Sequence, residues 1–185
     1  MELNPMVLSG RHVRLRELRD TDLPELVQWW QDPELAINQV TGSIHPRTAD
    51  ALADMFRGWA RDSDGGFGLT IATRDDDRCV GQVALFGATV RTRCATLAIM
   101  VGPPYQNRGY GTDAVRTAVR YGFTELGLHR IQLTANGYNP RAIATYTKCG
   151  FVEEGRSRET VLRGGVWYHH VHMGILDREW SATHE

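Results

Sequence analysis

The sequence predicts a mixed α/β sheet with one central β-α-β crossover. Strand-like apolar runs at 67–73, 79–86 and 94–101 are followed by a segment, 111–126, whose apolar residues recur at helical spacing. Strand and helix signals then alternate to residue 176, and no linker-like stretch interrupts them, so the 185 residues read as one domain.

Taken in order, Val13, Leu15 and Leu18 alternate with Arg14, Arg16 and Arg19 and predict a first strand within Val7 to Leu18. Asp22, with Glu25 three residues later, has the pattern of a capping box before Leu23, Leu26, Val27 and Trp30, and Asp32-Pro33 ends that helix. A second helix after His45-Pro46 places Ala49, Leu52, Met55, Phe56 and Trp59 on one side, with Asp62 to Gly66 closing it. The runs 67–73 and 79–86 form a hairpin across Arg74 to Asp77. Cys94 to Val101 is apolar enough for a central strand covered on both faces, and Gly102-Pro103-Pro104 stops it. The helix 111–126 turns Ala114, Val115, Ala118, Val119, Gly122, Phe123 and Leu126 inward, and Gly127 stands where a helix-ending glycine belongs. A strand at 131–135, a helix capped by Asn139 with Pro140 in its first turn, and strands near 151–160 and 166–176 complete the chain.

Composition removes several classes. Hydrophobic residues make up 42% and charged residues 23%, which is ordinary globular usage, and the formal charge of −1 gives no electrostatic case for nucleic acid. No run is long and apolar enough for a membrane span or a signal peptide. Cys79, Cys94 and Cys149 have neither paired nor metal-like spacing, which predicts free thiols in a reducing, cytoplasmic setting and no metal.

The most informative stretch is Gln106-Asn107-Arg108-Gly109-Tyr110-Gly111-Thr112, lying between a strand and a helix. Its two glycines allow a sharp turn, and the helix that follows begins with unpaired amides and a partial positive charge. Such a turn can wrap a diphosphate, and Arg108 can add charge. Gly109-Tyr110-Gly111-Thr112-Asp113-Ala114 satisfies a G-x-G-x-x-[GA] dinucleotide fingerprint. That pattern expects an acid at the end of the next strand, where this chain has Thr134-Ala135-Asn136, and expects its first glycine at the strand tip.

Gln106-x-x-Gly109-x-Gly111 resembles the acetyl-CoA diphosphate loop of the GNAT superfamily of acyl-CoA N-acyltransferases. One helix and one strand later, Asn139-Pro140-Arg141-Ala142-Ile143-Ala144-Thr145-Tyr146-Thr147-Lys148-Cys149-Gly150-Phe151 is similar to that family's N-x-x-[AS]-x-x-x-Y-x-K-x-G-F segment. Gly10 to Arg16, Asp22-Leu23, Trp30 to Glu34 and the closing Leu176 to Trp180 look like the ribosomal-protein N-acetyltransferase branch. Three positions depart from that branch: Ala142 where serine is common, Asp113 where glutamate is common, and Thr96 near a usual acid.

The resemblance implies a mostly antiparallel sheet with helices on both faces and a central β-α-β unit that binds acetyl-CoA. It implies acetyl transfer to a primary amine by direct attack in a ternary complex. The acceptor is left open among a peptide N-terminus, an amino acid, a polyamine and an aminoglycoside, and a homodimer is left open too. Ile99, Met100 and Val101 match the strand along which the pantetheine arm lies as an added strand, with a main-chain amide near Met100 or Val101 for the developing oxyanion. Gln106, Asn107, Arg108, Gly109, Tyr110, Gly111 and Thr112 would hold the diphosphate. Asn139 would cap its helix and bond the cofactor, and Tyr146 would protonate the leaving thiolate.

No general base is evident. His169, His170 and His172 titrate in the useful range, but strand alternation puts His169 on the opposite face from the other two. Glu34, His45 and Asp177 are further candidates, and a water chain is an alternative to all of them. Of the Trp29-Trp30 pair, one ring must face away from the core, where it can line an acceptor cleft. Two rival readings are a non-catalytic acyl-CoA-binding module and a nicotinamide-dependent enzyme.

Overall fold

A computed structural model describes residues 7–39, 45–61 and 65–182. Seven strands form one sheet in the order β1-β2-β3-β4-β5-β7-β6. They are β1 (Val13–Arg16), β2 (Phe67–Thr73), β3 (Cys79–Phe86), β4 (Cys94–Val101), β5 (Arg130–Asn136), β6 (Val152–Arg163) and β7 (Val166–Leu176). Every neighbouring pair is antiparallel except β4 and β5, which helix α4 (Tyr110–Thr124) joins as the predicted crossover. The hairpin expected across Arg74 to Asp77 is present as β2-β3.

Two apolar clusters cover the two faces. On one, Val13, Leu15, Ile71, Val83, Leu97, Ile131 and Met173 pack against Ala114, Val115, Ala118 and Val119 of α4. The expected inner stripe of α4 holds except at its end, where Leu126 lies beyond the helix and is exposed. On the other face, helices α1 (Leu23–Trp30), α2 (Pro33–Gln39) and α3 (Ala49–Ala60) bring Leu26, Trp29, Leu35, Leu52 and Phe56 against Cys79 and Met100. Strand β4 is central, as expected, but its cover is incomplete because Ala98 is exposed.

The first strand is shorter than the alternation suggests. Leu8 stays in contact with it through a backbone bond to Leu15, and Ser9 forms an isolated bridge to Arg14. Asp22 precedes α1 but does not cap it with its side chain. Its carboxylate instead receives both terminal nitrogens of Arg16, at 2.7 and 2.9 Å, the Thr70 hydroxyl and the Arg19 amide. A buried guanidinium pulls harder on a carboxylate than a helix amide does, so the capping pattern is overridden. Asp32-Pro33 ends α1, yet Pro33 also opens α2, which the periodicity missed because proline is tolerated in a first helical turn. The closing segment after β7 turns into α6 (Asp177–Ala182). Asp62, Ser63 and Asp64 of the predicted α3 ending lie outside the described residues.

Candidate active site

The sheet opens at its centre. Strands β4 and β5 pair only from Cys94–Arg130 to Thr96–Gln132. Beyond that point β4 stays on β3 to Val101, and β5 stays on β7 to Asn136. The last five residues of β4 therefore have an edge with no partner strand. Gly102 N–H donates to Val80 at 2.9 Å, continuing the β3-β4 ladder. Antiparallel bonding alternates, so Met100 and Ala98 face β3, whereas Leu97, Ile99 and Val101 turn their main-chain groups into the gap. The Val101 carbonyl confirms the phase, because it accepts from Gln106 Nε2 on that side at 3.0 Å.

This placement separates the three strand residues singled out from the sequence. Ile99 and Val101 line the gap, while the Met100 side chain is buried under α1 and α3 and its backbone is in register with Gln82 on β3. Met100 was an expected contact because a one-residue shift in hydrogen-bond phase is invisible in an apolar run.

The loop after β4 closes one end of the gap. Asn107 and Gly109 both have positive φ, 61° and 85°, so successive peptide planes fold into a concavity. Only glycine adopts this conformation without strain at Gly109, the residue before α4. The Tyr110, Gly111 and Thr112 amides open the helix and donate to no group among the described residues, while Asp113 N–H is the first to bond back, to Gly109 at 3.0 Å. A Cβ on Gly111 would make only ordinary contact with Val101, so space alone does not demand glycine there. Gln106, Asn107, Gly109, Gly111 and Thr112 line the cleft; Arg108 and Tyr110 do not. Tyr110 packs near Tyr105, with ring centroids 6.4 Å apart.

Helix α5 (Pro140–Lys148) forms the opposite wall. Asn139 Oδ1 accepts from the Ala142 amide at 3.1 Å, the expected cap, and Asn139 also lines the cleft. Tyr146 lies two turns along and lines the same cleft, its ring edge-on to Phe151 at 6.0 Å. Burial, with a smaller contribution from Cys149, pushes its phenol up to about 12. Tyr146 thus keeps its proton throughout the neutral range and is available as a donor.

The cleft has a volume of about 440 Å³, and its lining includes Asp32, just before α2, and Glu34, in the first turn of that helix. Of the candidate bases, only Glu34 is brought there. His45 lines a second cavity. Asp177 pairs with His129 at 3.1 Å. His169 sits 3.3 Å from Arg156, and His172 meets Ser157 at 2.6 Å; neither they nor His170 lines the cleft. The three cysteines are free thiols outside it, and burial pushes Cys79 up to about 12 and Cys149 up to about 11. Of the Trp29-Trp30 pair, Trp29 is buried, while Trp30 is half-buried against the same cluster and also forms part of the second cavity's wall.

Unpaired helix amides, a concave loop and a free strand edge suit a ligand carrying both a diphosphate and an amide-bearing arm. Such a site defines an acyl-CoA-dependent enzyme. The chain belongs to the GNAT acetyltransferases: residues 12–152 match the acetyltransferase (GNAT) domain family. It is 24% identical to the N-acetyltransferase YnaD of Bacillus subtilis over 95% of this chain and 100% of YnaD. It is 26% identical to YdaF of the same organism, a protein assigned provisionally to ribosomal N-acetylation, over 94% and 96% of the two chains. The structure of spermidine N-acetyltransferase from Vibrio cholerae in complex with CoA and spermine superposes with a TM-score of 0.81 at 25% identity, covering 91% of this chain and 98% of that one. The protein is accordingly an acetyl-CoA-dependent N-acetyltransferase, and the nicotinamide and non-catalytic readings fall away. Among the described residues, no helix is long and apolar enough to cross a membrane.

Proposed function

We propose that the 185 residues act as one N-acetyltransferase unit that moves the acetyl group of acetyl-CoA onto a primary amine by direct attack in a ternary complex. The observation that carries this reading is the split between β4 and β5, with a free strand edge on one side and Tyr146 on the other. Loop amides at Tyr110, Gly111 and Thr112 hold the diphosphate, and the main chain of Ile99 and Val101 holds the pantetheine arm. An amide on this edge also donates to the acetyl carbonyl oxygen as charge builds there.

In the reaction a nitrogen–carbon bond forms to the acetyl carbon, and the carbon–sulfur bond breaks with its electron pair on sulfur. The nitrogen loses one proton, and the sulfur gains one. Tyr146 donates to the departing sulfur. Glu34, which lines the cleft, accepts the amine proton directly or through water.

The test is thiol release from acetyl-CoA against a panel of peptides, amino acids, polyamines and aminoglycosides, followed in a single turnover. Release that requires an amine supports the reading. A burst of CoA without any amine would show a covalent intermediate instead, and no release with any amine would remove the activity.

A further inference from the structure

A second cavity of about 870 Å³ lies on the α1–α3 face of the sheet and meets the acetyl-transfer cleft at Ala98 and Ile99, which line both. Its walls are apolar and ring-rich: Trp30, Met55, Trp59, Phe67, Phe86 and Met100. Trp30 and Trp59 stand edge to face at 5.1 Å. Among the described lining residues there is no carboxylate; the charged or titratable ones are His45, Arg47 and Arg61, all exposed.

Within this apolar wall sits one polar side chain. Gln82 is 3% exposed, lies opposite Met100 in the β3-β4 register, and lines the cavity. Neither its Nε2 nor its Oε1 has a hydrogen-bond partner among the described residues. A buried amide with donor and acceptor both unmet is costly and uncommon, which marks it as a group awaiting a ligand.

We propose that the acceptor is a monoamine with an apolar, ring-bearing body and an anionic tail, and that Gln82 is the residue selecting it. The proposal rests on the acetyl-transfer reading above. The body fills the aromatic cavity, its polar atoms meet Gln82, its tail faces Arg47 and Arg61, and its amine reaches the cleft past Ala98 and Ile99. A polyamine would carry further positive charge past the cleft carboxylates into a cavity with two arginines and no carboxylate among its described lining residues, and like charges in one site work against binding.

The test measures acetyl-CoA binding by calorimetry and steady-state thiol release with 4-(2-aminoethyl)benzoate, phenethylamine and spermidine. The benzoate should exceed spermidine in kcat/KM by tenfold or more and exceed phenethylamine by at least threefold, with the latter margin lost in an Arg47→Gln, Arg61→Gln double variant. Gln82→Leu, which puts an apolar side chain in an apolar wall, should raise KM for the benzoate at least fivefold with kcat within twofold. Gln82→Glu should shift preference toward spermidine. Spermidine as the best of the three for the unaltered protein, or an unchanged KM in Gln82→Leu, would overturn the proposal. Binding of acetyl-CoA with no thiol release from any of the three would overturn the acceptor assignment alone, whereas loss of acetyl-CoA binding would overturn the acetyl-transfer reading beneath it.

Discussion

Arg141 Nη2 donates to Gln106 Oε1 at 2.7 Å, while Gln106 Nε2 donates to the Val101 carbonyl at 3.0 Å. One side chain thus ties the end of β4, the loop concavity and the first turn of α5 into a single frame. All three contribute to the cleft, so Gln106 acts as a brace for the loop as well as a part of the cleft lining.

Gln106→Leu should loosen that frame. Two hydrogen bonds of about 0.5–1.5 kcal/mol each are lost, and the loop would have to be ordered by the ligand. The Kd for acetyl-CoA, measured by calorimetry, should rise about tenfold, since a tenfold change corresponds to about 1.4 kcal/mol. Turnover at saturating cofactor should stay within about twofold, because binding lost equally from the ground and transition states leaves it unchanged. An unchanged Kd would mean that the loop holds its shape without the brace.

Tyr146→Phe removes the phenol and keeps the ring that packs on Phe151. Turnover should fall at least tenfold and up to the loss of about 10²–10⁴ typical for removing a positioned acid, while the acetyl-CoA Kd changes little. Because burial lifts the phenol to about 12, the wild-type rate should show no alkaline limb attributable to this group below about pH 11. Turnover of Tyr146→Phe near the wild-type value would remove Tyr146 from the chemistry.

How much of this was legible in the sequence differs from residue to residue. Gly109 and Asn139 were legible because a left-handed turn and a helix cap depend on local backbone geometry, whereas Gly111 and Tyr146 stood out only through the resemblance to the family's motifs. The phase that turns Ile99 and Val101 toward the gap, and Met100 away, depends on which strand β4 pairs with, which lies outside the run itself. Asp22 misled for a related reason: its partner Thr70 is on β2, and a tertiary ion pair outranked the local capping pattern. Glu34 could be named but not ranked, since only the packing of α2 brings it to the cleft. Gln82 gave no signal at all, because a glutamine in a strand reads as an exposed position until the strand is found to be central.

Asp113 shows a role that its sequence position hid. Its carboxylate accepts the amides of Arg11, His12 and Val13 at 3.0, 2.7 and 3.0 Å, fastening the start of β1 to the first turn of α4. Gly10 lies so close that any Cβ there would strike this carboxylate. Asp113→Ala should cost about 2–3 kcal/mol, since bonds to a charged acceptor are worth more than neutral ones and the exposed amides recover water. For a chain of this size that is a fall in Tm of about 5–10 °C. Acetyl-CoA affinity should be less affected than stability, because the Gly109 bond to the Asp113 amide is retained.

The Arg16–Asp22 pair sets the response to acid. Both side chains are nearly buried, and Asp77 adds a second carboxylate that takes Arg14, Arg16 and Arg19. Burial alone would raise the Asp22 carboxyl, but the bonds from Arg16 and from the Arg19 amide outweigh it and hold it below the usual range. Asp77 lies lower still, its three guanidinium partners prevailing over burial. Carboxyls depressed in the folded state contribute stability that is present above their unfolded value of about 4 and is lost as pH falls through the folded one. Asp22→Asn should therefore cost about 3–5 kcal/mol at pH 7, because it leaves Arg16 buried and poorly paired. In urea titrations the gap between wild type and variant should be constant from pH 7 to about 5 and narrow below about pH 4. A gap that stays the same width down to the acid transition would locate the acid sensitivity in other carboxylates.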